Sequence, residues 1–438
     1  MRLRAQLAVL PPKPSRTTTT RSRHRVLVSK RMRSTLRTGG LVCSILSCAV
    51  SIRAQTAAPV PPAATAPAAA AAPAAAPTSP VSTPSMEGPL AVNVKPESFD
   101  IPDFGKIYVS GAVTGLGLAE DSKFPGDRSA LADVSNAQVF IQKVDGAFQF
   151  FIQAGAYSLP SLGTGYVTSG TMTTNTYGPL PQAFVKFVSG NFSIEAGKLP
   201  TLCGAEYTFT FENMNIFRGL LWNQENAVNR GVQANYTAGP VALSLSWNDG
   251  YYSNRYNWLS GAATWTINSS NTLEFMAMGN MGTTDYGTFV TPLYLNNQSN
   301  MDNLIYSYTS GAWIAQPYLQ YGVTKTGAAI GIPKASSTTG FGLLMNYAVP
   351  NTSFNLAGRV EYESSSGNAT DGSVNLLYGP DSKAWSFTFT PTYQVGVLFT
   401  RAEISVVQAS SITRGMALGP TGTNREQTRF AIETGILF

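Results

Sequence analysis

SFNLAGRVEYE, residues 353–363, alternates with a period of two. Phe354, Leu356, Gly358, Val360 and Tyr362 fall on one side of an extended chain, and Asn355, Ala357, Arg359 and Glu361 on the other. A strand of ~9–11 such residues can cross a bilayer, because it turns one side chain to lipid and the next to an aqueous interior. The pattern recurs on both sides of this stretch. Val241, Leu243, Leu245 and Trp247 oppose Ala242, Ser244, Ser246 and Asn248, while Phe148, Phe150 and Ile152 oppose Gln149, Phe151 and Gln153. About sixteen segments of this kind run from residue 107 to residue 438, with a count of roughly 14 to 18 compatible with the spacing.

The connections between them alternate in length. Asp145-Gly146, Ser189-Gly190, Ala238-Gly239, Asn268 to Ser270, Ser310-Gly311, Pro350-Asn351 and Gln394 to Gly396 are short, and most carry the residues of tight hairpin turns. Between them lie connections of about 8 to 28 residues, the longest from Pro200 to Ala227. Short turns on one rim and long loops on the other describe an all-β fold: a transmembrane, antiparallel, up-and-down barrel with short periplasmic turns and long outer loops. An even strand number returns both termini to the periplasm.

Composition agrees. Charged residues make up 12% of the 438 and hydrophobic ones 43%, and a soluble domain usually carries about twice that charged fraction. Outside a Pro-broken Ala run, no stretch reaches the roughly 18 apolar residues of a membrane helix. The net charge of +6 is concentrated at the start: residues 1–54 hold 12 of the 30 Lys and Arg and no Asp or Glu, leaving 18 basic against 24 acidic side chains beyond them. Nucleic-acid binding therefore has no basis in the rest of the chain, and a pore through it should weakly prefer cations. The single histidine, His24, lies in the same segment, which removes Ser-His-Asp, Cys-His and His-ligated zinc chemistry. No enzyme, cofactor or metal site is expected. Cys43 and Cys48 fall in the apolar part of that segment, so Cys203 has no partner for a disulfide in the remainder.

Residues 1–54 read as a basic extension plus a secretory signal. From Met32, a plausible true start, Arg33 and Arg37 precede an apolar run from Leu41 to Ile52 and small residues that allow cleavage after Ala54 or Ser51. Residues 55–100 are expected to be a disordered, Ala/Pro-rich periplasmic linker with potential peptidoglycan contact, and residues 101–438 the barrel. Trp247, Trp258, Trp265, Trp313, Tyr321 and Tyr362 fall near segment ends, as interfacial girdles do.

The last segment, QTRFAIETGILF, places Phe430, Ile432, Thr434 and Ile436 on one face and ends on Phe438, similar to the terminal signal that barrel-assembly machinery reads during insertion into outer-membrane lipid. With AGKLPTLCGAEYTF (196–209), SLSWNDG (244–250) and VLFTRAEIS (397–405), it resembles the type 2 family of outer-membrane β-barrel porins. The resemblance covers roughly residues 101–438 and implies a bacterial outer-membrane channel for small hydrophilic solutes or ions, commonly a homotrimer at this strand number. The alternative from another class is a non-conducting structural or adhesive barrel whose lumen is capped by its loops.

Such a channel needs a lumen of chosen width and charge. The register turns Lys186, Glu195, Glu274, Arg359, Glu361, Arg401, Glu403, Arg429 and Glu433 inward as pore-lining candidates, since Arg or Lys facing lipid at mid-membrane would cost roughly 2–4 kcal/mol. Arg359 with Glu361, Arg401 with Glu403 and Arg429 with Glu433 repeat a mixed-sign pattern, readable as a brace across the wall or as a transverse field. In the connection 200–227, Glu206, Glu212 and Arg218 are candidates for a constriction if that loop folds inward; the alternative is an outer cap packed by its own aromatics.

Overall fold

A computed structural model describes residues 79–81, 83–289 and 291–438. The signal segment, the choice of Met32 and most of the tether lie outside them. Seventeen strands form one antiparallel sheet. β1 (Glu97–Ile101) is a short hairpin arm. The wall is made of β2 (Gly105–Glu120), β3 (Ala130–Lys143), β4 (Phe148–Tyr157), β5 (Gln182–Ser189), β6 (Phe192–Pro200), β7 (Val228–Ala238), β8 (Val241–Asn248), β9 (Trp258–Asn268), β10 (Asn271–Asn280), β11 (Gln298–Ser310), β12 (Trp313–Thr324), β13 (Ser336–Ala348), β14 (Phe354–Ser365), β15 (Lys383–Val395), β16 (Leu398–Ser410) and β17 (Glu426–Leu437). Each pairs with its neighbour in sequence. β17 closes on β2 from Arg429↔Glu120 to Leu437↔Ala112, so the ring is a closed barrel of sixteen strands with no open edge. Phe438 finishes the seam, its N–H and carbonyl bonding those of Gly111 at 3.0 and 2.9 Å.

The wall is apolar outside and polar inside. On β17, Phe430 and Ile432 are 54% and 60% exposed, whereas Arg429 and Glu433 are 2% and 0% exposed. Water would expel that outer face; a bilayer accepts it. Trp247, Trp265, Trp313 and Tyr321 lie on the exposed side as expected of girdle residues, but Trp258 does not. It is fully buried on the inner side of β9, its ring against Tyr251. Position near a segment end does not fix which side of the pleat a residue occupies.

The short connections cluster on one rim. Gly190 and Gly311 hold φ of +57° and +58°, and nothing lies within 4 Å of where their Cβ would be, so the turn backbone, not crowding, requires glycine there. The wall is uneven: β5, β6 and β8 have 8, 9 and 8 residues, against 12 or 13 in each of β11 to β17.

Among the described residues, two segments entering the interior bear on the candidate site, with the start of the β4–β5 connection packed beside the first. Within the connection 200–227, every residue from Thr208 to Leu221 is buried. The second entrant corrects the expected linker. Its last part is ordered: residues 97–101 are β1, and Glu87 and Leu90 are buried. Past Met86 the composition is no longer dominated by Ala, Pro, Thr and Ser, and Leu90 has a pocket to fill beside Phe140, Phe151, Phe399 and Leu437.

Candidate pore interior

The tall half of the wall grips the entering loop through its main chain. Arg401 stands opposite Glu433 across β16 and β17, and the two pair at 2.6 Å. The Arg401 guanidinium also donates to the carbonyls of Asn213 (2.9 Å) and Thr210 (2.6 Å). Two residues along, Glu403 accepts the N–H groups of Ile216 (2.5 Å) and Phe217 (3.3 Å). On β14, Arg359 donates to the Phe217 carbonyl (2.8 Å) and pairs with Glu206 (2.5 Å), while Glu361 accepts from the N–H groups of Leu220 (2.9 Å) and Leu221 (3.3 Å). Arg429 pairs with Glu120 across the seam at 2.6 Å and donates to the carbonyls of Ser161 (2.8 Å) and Thr164.

This gives the mixed-sign pattern a physical account. An irregular backbone inside a barrel has no ladder partner, and each buried N–H or C=O left unpaired costs about 1–3 kcal/mol. Arginines supply donors to its carbonyls, and glutamates each take two successive N–H groups. Gly219 lets the loop approach, since a Cβ there would lie 1.9 Å from Glu361 Oε1. Apolar side chains complete the attachment: Met214, Ile216, Phe217 and Leu220 pack with Leu116, Tyr318 and Leu344 of the wall.

The low half is different. Lys186 and Glu195 face each other across β5 and β6 and pair at 3.0 Å with the lysine side chain 32% exposed. They border an open polar cavity of about 550 Å³ with Gln149, Ser193, Gln233 and Asn235. Glu274 borders a second space of about 300 Å³ with Glu206, Tyr207 and Glu212 of the loop and Ser307 and Gln316 of the wall. Toward the long loops, a third space of about 370 Å³ is lined by Tyr177, Trp222, Asn223, Tyr251 and Tyr378.

The structure thus divides the residues singled out from sequence. Arg359, Glu361, Arg401, Glu403 and Glu433 are engaged by the loop 200–227, Arg429 by Glu120, the β4–β5 connection and the Phe217 ring, and Lys186, Glu195 and Glu274 border open space. The loop residues are also inside. Glu206 is held by Arg359 and the Gly219 N–H (2.7 Å). Glu212 accepts the Phe209 N–H at 2.8 Å, and burial pushes its carboxyl up to about 8. Arg218, fully buried, lies over the Trp222 ring at 4.5 Å and finds no side-chain hydrogen-bond partner among the described residues.

Sequence reasoning missed Glu120 and the second entering segment. Residues 83–93 fold into the short-turn mouth. Gln142 donates to the Thr83 carbonyl (2.6 Å), the Glu87 N–H bonds the Glu212 carbonyl (2.8 Å), the Met214 N–H bonds the Glu87 carboxylate (3.1 Å), and Gln394 clasps both main-chain groups of Ala91 (2.9 and 2.8 Å). Glu361 and Arg359 could have pointed to Glu363, which shares their parity and is fully buried. Nothing local could have paired Glu120 with Arg429 across the seam.

The comparisons with known proteins agree with this architecture. The model of a family described as "Putative beta-barrel porin-2, OmpL-like" matches residues 106–438. The chain belongs to this family. It is an outer-membrane barrel of the porin type, a channel protein of the bacterial outer membrane. Among solved structures it is similar to the outer membrane channel DcaP of Acinetobacter baumannii, at 9% identity and a TM-score of 0.53 over 78% of this chain and 99% of that one. It is also similar to in-vitro folded OmpT of Vibrio cholerae, at 11% identity and a TM-score of 0.52 over 76% and 97%. At these identities the likeness concerns the fold. No curated protein sequence matches the chain.

Proposed function

We propose that this porin conducts small hydrophilic solutes or ions by passive diffusion along the low half of its lumen. The observation that carries this reading is the open polar space beside Lys186 and Glu195, facing a loop anchored to the opposite wall. The loop 200–227, with Glu206, Glu212 and Arg218, is the constriction, and residues 83–93 narrow the short-turn mouth. Of the acidic groups around the second space, Glu206 is paired with Arg359, so Glu274, joined by Glu212 where it is ionised, favours cations over anions. No step needs a catalytic group or cofactor. Both termini lie on the periplasmic side, Phe438 is the insertion signal read by the assembly machinery, and the Ala/Pro-rich linker that begins at residue 55 makes contact with peptidoglycan. A homotrimer suits the sixteen-strand plan.

The test is single-channel recording in planar bilayers under a salt gradient, after heat-modifiable migration has confirmed folding. Stepwise conductance with a cation-side reversal potential is expected. A folded barrel that stays silent would reverse the assignment in favour of the second reading, a capped structural or adhesive barrel. The dense apolar packing of Met214, Ile216, Phe217 and Leu220 against the wall favours that alternative.

A further inference from the structure

On the outer face of the low wall, two cations stand side by side. Lys198 of β6 is the register partner of Arg230 of β7, and both point away from the lumen, on the parity of Ile194 and Val232, which are 38% and 40% exposed. Like charges directly opposite on one sheet face destabilise it. Among the described residues only one is neutralised by a carboxylate: Arg230 pairs with Asp249 at 2.8 Å. Lys198 donates to the carbonyls of Tyr177 (3.1 Å) and Leu180 (2.8 Å), which leaves one ammonium hydrogen unused. Tyr252 gathers the pair, its ring 3.9 Å from the Arg230 guanidinium and 5.5 Å from the Lys198 ammonium. The pair sits near the long-loop ends of its strands, beside Trp247, whose indole N–H donates to the Tyr256 carbonyl at 2.9 Å. A Trp and Tyr at that level mark the membrane interface.

Beside the cations lies a groove of about 640 Å³, bordered by Leu180, Ala183, Val232, Trp247 and Tyr256. Its floor includes the backbone of Gly197 and Gly231, themselves register partners between the outward-facing side chains of β6 and β7. Below it the same face continues through exposed Val185, Phe187 and Leu245. An apolar trough with an unneutralised positive charge at its interfacial end matches one chemistry: a phosphate headgroup with its acyl chain.

We propose that this groove binds a phosphorylated lipid of the outer membrane, its phosphate on Lys198 and Arg230 and an acyl chain along Gly197 and Gly231 toward Val185. The site fixes the barrel's height at its lowest wall and is independent of whether the lumen conducts.

Native mass spectrometry of the full-length mature barrel in detergent tests it, with dioleoyl phosphatidic acid, dioleoyl phosphatidylcholine and inorganic phosphate as separate probes. One phosphatidic acid should stay bound per barrel under conditions that strip phosphatidylcholine, and inorganic phosphate should not displace it. Lys198→Gln and Arg230→Gln should each weaken retention about fivefold. Ala183→Trp, which fills the trough and leaves both cations, should abolish it. Three results would overturn the proposal: unchanged retention in variants that fold, displacement by inorganic phosphate, which would make this a soluble-anion site, or an oligomer that carries no bound phosphatidic acid and dissociates in the Ala183→Trp variant, which would make the face a contact between copies. If Arg230→Gln fails to fold because Asp249 loses its partner, Lys198→Gln and Ala183→Trp decide.

Discussion

The two halves of the lumen carry the same residue types and use them differently. On β14, β16 and β17, arginine and glutamate are sealed between the wall and the entering loop, with side chains 0–2% exposed in the pairs of Arg359, Arg401 and Arg429. On β5 and β6, Lys186 and Glu195 form a single pair that water still reaches. The difference teaches that an inward charge on a barrel strand is not by itself a pore-lining charge. Where a loop lies over it, it completes that loop's backbone hydrogen bonds; where the lumen stays open, it is free to meet a solute.

The largest expected effect that separates the halves is on stability. Arg401→Ala strands Glu433 and two loop carbonyls in a dry interior and should cost about 3–5 kcal/mol, whereas Lys186→Ala should cost under about 1 kcal/mol. Unfolding by denaturant followed through heat-modifiable migration would show it, and equal costs would erase the contrast. Next, deleting residues 206–219 should raise single-channel conductance severalfold, and an unchanged step would mean the loop does not set the narrowest point. A smaller rise is expected from deleting residues 83–93, since they narrow only the short-turn mouth. Lys186→Ala should move the reversal potential toward cations while leaving conductance nearly unaltered, and Arg359→Gln in barrels that fold should move it less, because Arg359 is walled off from the path. The smallest effect is on pH dependence. Burial raises the Glu212 carboxyl to about 8, so it is neutral below that pH and ionised above it; cation preference should grow as pH rises through about 8, and Glu212→Gln should remove that increment.

Much of this architecture was legible in the chain. The segments read from alternation correspond to β2 through β17, because a wall strand needs only that its two faces differ, and SFNLAGRVEYE already states that difference in side-chain chemistry. Turn positions were legible for a similar reason: glycines such as Gly190 and Gly311 answer to the backbone geometry of one hairpin. The parity of Arg359, Arg401 and Glu433 came with the strands. What each would touch did not, since Arg401 meets Thr210 and Asn213 across nearly two hundred residues of chain. Trp258 was misplaced for want of the same information, and the order in residues 83–93 was hidden because their burial depends on a pocket assembled from β3, β4, β16, β17 and the loop.

The sequence by itself determined that the chain makes a closed, inside-out barrel, since period-two alternation and hairpin turns are local properties of each segment and its neighbour. Only the tertiary structure decided which inward charges brace a loop and which border open space, where residues 83–93 lodge, and that Lys198 and Arg230 share an outward groove. Those outcomes depend on which distant backbone groups arrive without partners and on how strand registers align, and no local pattern records either.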